Sequence, residues 1–175
     1  MLAAVAGTFD VLHDGHVALL RRTFELGDEV LIGITGDEMA AEGRTVCNPL
    51  YLRKQALESY LRNMKKPWKL CVIRDAYGPQ AEMDRVDVLV VSPETVPGAE
   101  AINRDRASRG IRPLRIEVVP LVMAADGGRI SASDIMAGRY GRDGTAGVDI
   151  AVGSCNPVKV EAVREVMEQI FGSVR

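Results

Sequence analysis

Short apolar runs alternate with segments of helical periodicity along most of this chain. Five of the runs have the length of strands and are largely apolar; they cover residues 2–6, 29–35, 68–73, 86–91 and 116–123. Strands that are apolar on both faces are typical of parallel sheets, and parallel neighbours need a crossover helix between them. The pattern therefore predicts an α/β fold with a five-stranded parallel sheet and helices on both faces.

The segments between these runs supply the crossover helices. In the first segment Val17, Leu20 and Phe24 share one helix face, and Gly27 is placed to end the helix. Three further helices are predicted, at residues 37–41, 52–64 and 98–109. Ligands of such folds bind outside the carboxyl ends of the strands, so the residues that follow each strand are the candidates for chemistry.

The residues after the first strand form the most distinctive stretch. Residues 7–16, which we call the N-terminal motif, run Gly-Thr-Phe-Asp-Val-Leu-His-Asp-Gly-His and lead directly into the first helix. A helix start after a glycine turn gathers unpaired backbone N–H groups and the positive end of the helix dipole, which together bind polyanions. The motif therefore predicts a phosphate-binding site.

The chain has two histidines, His13 and His16, and both lie in the N-terminal motif with Gly15 between them. Imidazoles in this position can donate hydrogen bonds to phosphate oxygens as charge builds up in a transition state, and glycine lets a ligand approach the backbone. Two alternatives stay open: a histidine pair can bind a metal, and histidines are often ordinary surface residues. No cysteine or third histidine lies nearby in the sequence, so we predict a phosphate site and no metal bound by the protein.

Composition limits the classes of function to consider. A chain of 175 residues, 47% hydrophobic and 26% charged, is typical of a soluble globular protein of one domain or slightly more. A formal charge of −2 gives no general attraction to nucleic acid or to anionic membranes, so neither is predicted as a partner. No apolar run approaches the roughly 18 residues that span a bilayer, which predicts a cytoplasmic protein. The three cysteines are widely spaced, which indicates reduced thiols.

In the N-terminal motif the sequence resembles the nucleotidyltransferase superfamily that is marked by a His-x-Gly-His turn after a Gly-Thr-Phe-Asp strand end. Later stretches resemble its archaeal and eukaryotic phosphopantetheine adenylyltransferase branch; they are Asp75 with Gly78-Pro79, residues 92–95, Ile102-Asn103 with Arg106, and residues 130–133. The resemblance covers residues 1 to about 140. It implies a Rossmann-like nucleotidyltransferase fold that transfers AMP from ATP to 4'-phosphopantetheine, with Mg²⁺ bridging the phosphates.

The resemblance also implies roles for individual residues. His13 and His16 would stabilise charge on the transferring phosphoryl group, and Thr8 would orient the attacking phosphate. The implied ATP site comprises Gly7, Thr8, Phe9, Gly15, His16, Asn103, Arg106, Ser131 and Ser133. In that site Arg106, with Asn103, would neutralise the β- and γ-phosphates.

Two arginines are the implied contacts of the phosphate of 4'-phosphopantetheine. Arg44 lies in a loop after the second strand, where the bacterial enzymes have a lysine, and Arg53 lies near the start of the following helix. An arginine can clamp a phosphate with two donors at once. Each residue could instead be a solvated surface cation.

The serine stretch departs from the pattern of the family. Relatives carry a basic residue shortly after the serines, whereas this chain has Met136 there, with Arg139 and Arg142 as the nearest substitutes. Ser131 and Ser133 are also good N-cap residues, so capping alone can account for one of them.

Residues 146–175 are predicted to lie outside the nucleotidyltransferase domain, which takes residues 1–145. Residues 139–147 are rich in glycine and predict a linker, followed by a strand at 148–152 and an amphipathic helix. The turn between them resembles the start of inosine/xanthosine triphosphatases at Ser154, Asn156, Pro157 and Lys159. We therefore expect the truncated start of such a domain, with an apolar stripe available for self-association.

Two other functions fit the sequence. Another transferase of the same fold, similar to FAD synthetases or to glycerol-phosphate cytidylyltransferases, would share the N-terminal motif and differ only in the later stretches. A nucleotide-binding module without turnover would also keep the motif, and the residue at Met136 agrees with that alternative. Pyrophosphate release with different acceptors distinguishes the three.

Overall fold

The structure is a computed structural model that describes residues 1–42, 48–147, 152–153 and 155–171. Its sheet contains β1 (Leu2–Gly7), β2 (Glu29–Thr35), β3 (Trp68–Ile73), β4 (Val88–Val91) and β5 (Arg115–Val118). The strands lie in the order β3-β2-β1-β4-β5, and every neighbouring pair is parallel. The predicted five-stranded parallel sheet is confirmed.

Seven α-helices are described, with a short 3-10 turn at Pro93–Thr95. They are α1 (Asp14–Leu26), α2 (Asp37–Ala41), α3 (Leu50–Leu61), α4 (Gln80–Met83), α5 (Val96–Ser108), α6 (Ala132–Met136) and α7 (Pro157–Phe171). The predicted strand at 116–123 ends early, at Val118, because Pro120 has no N–H with which to continue the ladder. Gly110 ends α5 in the left-handed region, with φ of 70°.

The order of the strands creates a switch point beside β1. The chain moves outward from β1 to β2 and β3, and then returns to place β4 on the other side of β1. The connections that leave β1 and β4 therefore diverge and open a crevice at the carboxyl ends of these strands, where ligands of such sheets bind.

The chain forms two compact units. The first comprises Met1–Asp10 and His16–Leu121 and contains the sheet; the second comprises Val11–Gly15 and Val122–Arg175. The predicted boundary near residue 145 is a different division, between the nucleotidyltransferase domain and the start of a second domain. It stays a prediction.

The core of the first unit lies on both faces of the sheet. Side chains alternate between the faces along each strand, so Ala4 and Val5 point to opposite sides. On the side of Ala4, an apolar cluster joins the strands to α5 through Leu31, Leu89 and Ala99. Val5 is also buried, and the helices α1 and α3 contribute further buried leucines, namely Leu20, Leu57 and Leu61.

Arg106 and Asn103 hold α5 to the sheet rather than to a ligand. Arg106 is only 2% exposed, and its guanidinium donates to the carbonyls of Met83, Val86 and Arg112. Asn103 exchanges two hydrogen bonds with the backbone of Leu114, at 3.0 and 2.6 Å.

These partners precede β4 and β5, at the amino end of the sheet and opposite to the crevice. In this structure the backbone takes up the donors of Arg106 and Asn103, and their expected binding of the ATP β- and γ-phosphates stays a prediction. We assign both residues a structural role.

We expect Arg106→Leu to lower the free energy of unfolding by about 3 kcal/mol, since it leaves buried carbonyls without donors. Urea unfolding measures this loss. Arg104→Leu is the matched control, because Arg104 is exposed on the same helix, and it should change stability by less than about 0.5 kcal/mol. If Arg106 instead served the triphosphate, stability would hold while the affinity for ATP fell.

Candidate active site

A cavity of about 330 Å³ lies beside the carboxyl end of β1. Gly7 and Thr8 line it, together with the carboxyl half of β4 and the first half of α5. The lining is largely apolar, and the volume falls at the lower end of the range of small-molecule pockets. The structure thus places an open pocket at the switch point, next to the N-terminal motif.

The turn after β3 forms one wall of this cavity. Asp75 accepts hydrogen bonds from the N–H groups of Tyr77 and Gly78, both at 2.9 Å, and Gly78 takes a φ of 68° that favours glycine. Tyr77, Gly78 and Pro79 then line the cavity. The stretch that resembles the phosphopantetheine branch therefore lies at the same pocket as Thr8.

Arg53 is buried at the carboxyl ends of β1 and β2. Its side chain is fully buried and donates to the carbonyls of Thr8 at 2.9 Å, Thr35 at 2.8 Å and Asn48 at 2.7 Å. Its remaining nitrogen pairs with Asp37 at 2.9 Å. In this structure the donors of Arg53 hold the strand ends together, and its expected contact with a substrate phosphate stays a prediction.

The other expected contact of that phosphate, Arg44, lies outside the described residues.

Asp10 connects the N-terminal motif to the segment before α3. Its Oδ1 accepts hydrogen bonds from the backbone and side-chain amides of Asn48, both at 2.8 Å. Its Oδ2 is buried and has no hydrogen-bond partner in the part of the chain that the structure describes. A buried carboxylate oxygen in this state is available to a ligand or an ion.

Phe9 lies between Thr8, which is bonded to Arg53, and Asp10, which is bonded to Asn48, and it contacts His16. Its ring is fully buried, and its centroid is 5.2 Å from that of the imidazole at an angle of 49°. Phe9 was expected in the ATP site; the structure places it as a neighbour of His16.

In the second unit His13 caps the start of α1. Its Nδ1 accepts a hydrogen bond from the N–H of Gly15 at 3.1 Å, so the neutral ring carries its proton on Nε2. A Cβ at residue 15 would lie 3.0 Å from two ring atoms of His13. Gly15 is therefore needed to let the imidazole fold over the helix start, in addition to any approach of a ligand.

The electrostatic surroundings keep His13 neutral. Burial lowers the pKa of its imidazole, the charge of Arg129 lowers it further, and Asp14 acts in the opposite direction. Sequence reasoning missed Arg129, although it directly precedes the serine stretch. The signal in the sequence was a basic residue directly before the serine stretch.

The backbone around residue 142 also contacts the helix start within this unit. The carbonyl of Arg142 accepts the N–H of Asp14 at 3.0 Å. The N–H of Asp14 is thus bonded to Arg142 and the N–H of Gly15 to His13, so neither is open to a ligand. The sequence predicted open donors at these positions.

Residues 139–147, which the sequence predicts as a linker, form a hydrogen-bonded turn in the second unit. Gly141 donates to Thr145 at 2.8 Å, and Gly147 donates to Arg139 at 2.7 Å. Tyr140 and Ala146 form an antiparallel bridge. These backbone hydrogen bonds give the glycine-rich segment a defined conformation.

The serine stretch lies at the start of α6. Ser131 is its N-cap. The Ser131 hydroxyl accepts a hydrogen bond from the backbone N–H of Asp134 at 3.1 Å and donates one to the Asp134 carboxylate at 2.6 Å. Ser133 is exposed. Arg139, one of the two suggested substitutes for the missing cation, pairs with Asp134 at 2.9 Å.

We expect the folded protein to lose stability as the pH falls below about 6.5, because the unfolded chain then binds a proton that His13 in the folded state resists. Chemical unfolding at about pH 7 and about pH 5.5 measures the loss. His13→Asn keeps an acceptor for the cap and cannot titrate, so it should lose less over this interval. Equal losses in both proteins would contradict this account of His13.

Two negative findings apply to the described ranges. They contain no group of three or more His, Cys, Asp or Glu side chains that could hold a metal ion. None of their helices is long and apolar enough to cross a membrane.

Two relatives are similar to this chain in sequence. Phosphopantetheine adenylyltransferase from Methanosarcina acetivorans is 43% identical over 146 residues, which are 81% of this chain and 92% of that protein. A bifunctional phosphopantetheine adenylyltransferase/NTP phosphatase from Thermoplasma acidophilum is 34% identical over 173 residues, which are 97% of this chain and 53% of that protein.

A crystal structure of a protein of unknown function from Archaeoglobus fulgidus is similar at a TM-score of 0.62 and 33% identity, over 69% of this chain and 99% of that one. Residues 4–138 match the cytidylyltransferase-like family. With this match and these relatives, the chain belongs to the cytidylyltransferase-like family.

Proposed function

We propose that this protein is a phosphopantetheine adenylyltransferase, which transfers AMP from ATP to 4'-phosphopantetheine and gives dephospho-coenzyme A and pyrophosphate. The observation that supports it most is the cavity at the switch point, which brings Thr8 and the Tyr77–Pro79 wall to one pocket. The relative from Methanosarcina acetivorans, which has this name, is similar over most of both chains.

The reaction needs positioned donors rather than a base. The phosphate of the acceptor has a second pKa of about 6, so it is mostly dianionic at neutral pH and attacks the α-phosphorus of ATP directly. As pyrophosphate leaves, the protein has to orient the two reactants and stabilise charge on the transferring group. Thr8, which lines the cavity, is proposed to orient the attacking phosphate.

His16 is proposed to donate a hydrogen bond to the transferring phosphoryl group. His13 is suited to the same kind of task, because its Nδ1 is occupied by the N–H of Gly15 and its Nε2 carries the proton. A neutral donor of this kind needs no proton exchange with solvent during turnover. Gly7 and Ser133 remain candidate contacts of ATP, and Arg129 is added to them, whereas the hydroxyl of Ser131 is used as a cap.

A divalent ion, Mg²⁺, is proposed to accompany ATP. Mg²⁺ is commonly held by one or two carboxylates together with substrate phosphates and water. Asp10 Oδ2 is a buried carboxylate oxygen that would hold it. When bound, the ion neutralises phosphate charge.

A panel of substrates tests the proposed function. Pyrophosphate release is measured with ATP or CTP against 4'-phosphopantetheine, glycerol 3-phosphate and FMN. We expect turnover with ATP and 4'-phosphopantetheine only. Turnover with another pair would assign the protein to a different transferase, and nucleotide binding without any turnover would make it a binding module.

We expect His16→Ala to lower kcat by about two to three orders of magnitude, as the loss of one transition-state donor commonly does. The Kd for ATP, measured by calorimetry, should change by less than about threefold, because the donor acts mainly on charge that develops during transfer. Near-normal turnover would remove His16 from the mechanism.

We propose that residues 146–175 begin a second domain of the NTP phosphatase kind. The bifunctional relative from Thermoplasma acidophilum is similar through this region, and this chain spans about half of its length. On α7, Val158 and Val166 are 77% and 53% exposed, so the helix keeps apolar surface in contact with solvent. Such a surface favours self-association.

We expect a chain that ends at Gly147 to keep its kcat within about twofold, because Gly147 completes the hydrogen bonds of the 139–147 turn. Light scattering should find less self-association in this variant than in the 175-residue chain. Neither form should hydrolyse inosine or xanthosine triphosphate. A truncated protein that fails to fold would show that the C-terminal segment stabilises the transferase.

A further inference from the structure

Phe9 has an unusual backbone conformation in the middle of the N-terminal motif. Its φ is 49°, and it is the one residue other than glycine with a positive φ among those that the structure describes. For a bulky side chain this conformation is an outlier and costs free energy. Such strain persists only where the surroundings determine it, and it is concentrated at active sites and ligand sites.

Both neighbours of Phe9 are held by hydrogen bonds. The carbonyl of Thr8 accepts from Arg53 at 2.9 Å. The carboxylate of Asp10 accepts from both amides of Asn48 at 2.8 Å. The chain enters and leaves Phe9 through fixed points, so the strained backbone cannot relax locally.

The strain places an aromatic ring between Gly7 and His16. A Cβ at residue 7 would lie 3.3 Å from two ring carbons, which is tighter than an ordinary contact, so glycine makes room for the ring. On the other side the ring contacts the imidazole of His16 in a tilted arrangement, with 5.2 Å between centroids. His16 Nδ1 is buried, and Nε2 is the nitrogen through which His16 is proposed to act.

We propose that Phe9 is a positioning residue for His16: its left-handed backbone sets the ring against the imidazole and holds Nε2 in the orientation needed for transfer. This inference rests on the proposed function, in which His16 donates to the phosphoryl group. A histidine in the first turn of a helix otherwise samples several rotamers, and each turnover would have to select one of them. Packing against Phe9 makes that selection in advance.

The first test is a double-mutant cycle. Phe9→Leu keeps an apolar side chain and the same demand on φ but removes the ring; we expect kcat to fall about tenfold while the KM for ATP stays within about twofold. In the His16→Ala background the same change should alter kcat by less than about twofold. Phe24→Leu is the matched control, since Phe24 is also buried and lies on α1 with His16, and it should leave kcat unchanged.

Two results would overturn the proposal: full activity of Phe9→Leu, or an equal loss with and without His16. Retained activity of His16→Ala would instead count against the proposed role of His16, so the two failures are distinct.

A second test does not use activity. The two histidines of a ¹³C-histidine-labelled protein give separate ring signals, which His13→Asn assigns. The ring current of Phe9 should shift the His16 signal, and this shift should disappear in Phe9→Leu and remain in Phe24→Leu. If Phe9→Leu does not fold, Phe9→Met replaces it in both tests. An unmoved His16 signal in the folded variant would show that the ring does not hold the imidazole.

Discussion

The buried guanidinium of Arg53 is the interaction on which the rest of the site depends. A charge inside a protein is stable only when its donors are paired and an opposite charge is near. Here Asp37 supplies the charge, and the carbonyls of Thr8, Thr35 and Asn48 accept the remaining donors. These carbonyls would otherwise be buried acceptors at the points where two strands stop. One side chain thereby ties together β1, β2, α2 and the start of α3.

This arrangement fixes the backbone at the start of the N-terminal motif, from Thr8 to Asp10. With Thr8 fixed by Arg53 and Asp10 fixed against Asn48, Phe9 has little choice of backbone conformation. The cavity opens on the side of the sheet where α5 packs, and α5 is fixed from the opposite end by Arg106. Two buried arginines at opposite ends of the sheet therefore hold the elements around one pocket.

Most of the fold could be predicted from the sequence because strand and helix periods are local signals. The five apolar runs, the helix that follows the N-terminal motif and the glycine that ends α5 were all predicted and are present. The structural roles of Arg53 and Arg106 were not predicted, because a charged side chain is expected to face solvent or to bind a phosphate. Helical spacing held the missing signal: Arg53 shares a face with Leu57 and Leu61, and Arg106 shares one with Ala99 and Ile102. The cap that His13 forms was not predicted, because it depends on the rotamer of its side chain, which the spacing of residues along the sequence does not specify.

The bond between Gly15 and His13 has a consequence for charge near the helix start. Histidines in enzymes commonly have their tautomer set by a carboxylate that accepts from the second ring nitrogen. Here a backbone amide two residues away does so, because the absence of a Cβ at Gly15 lets the ring fold back. This hydrogen bond places the proton on Nε2, and the amide that donates it adds no negative charge at the start of the helix. An imidazole aligned by its own main chain is therefore well suited to meet a polyanion.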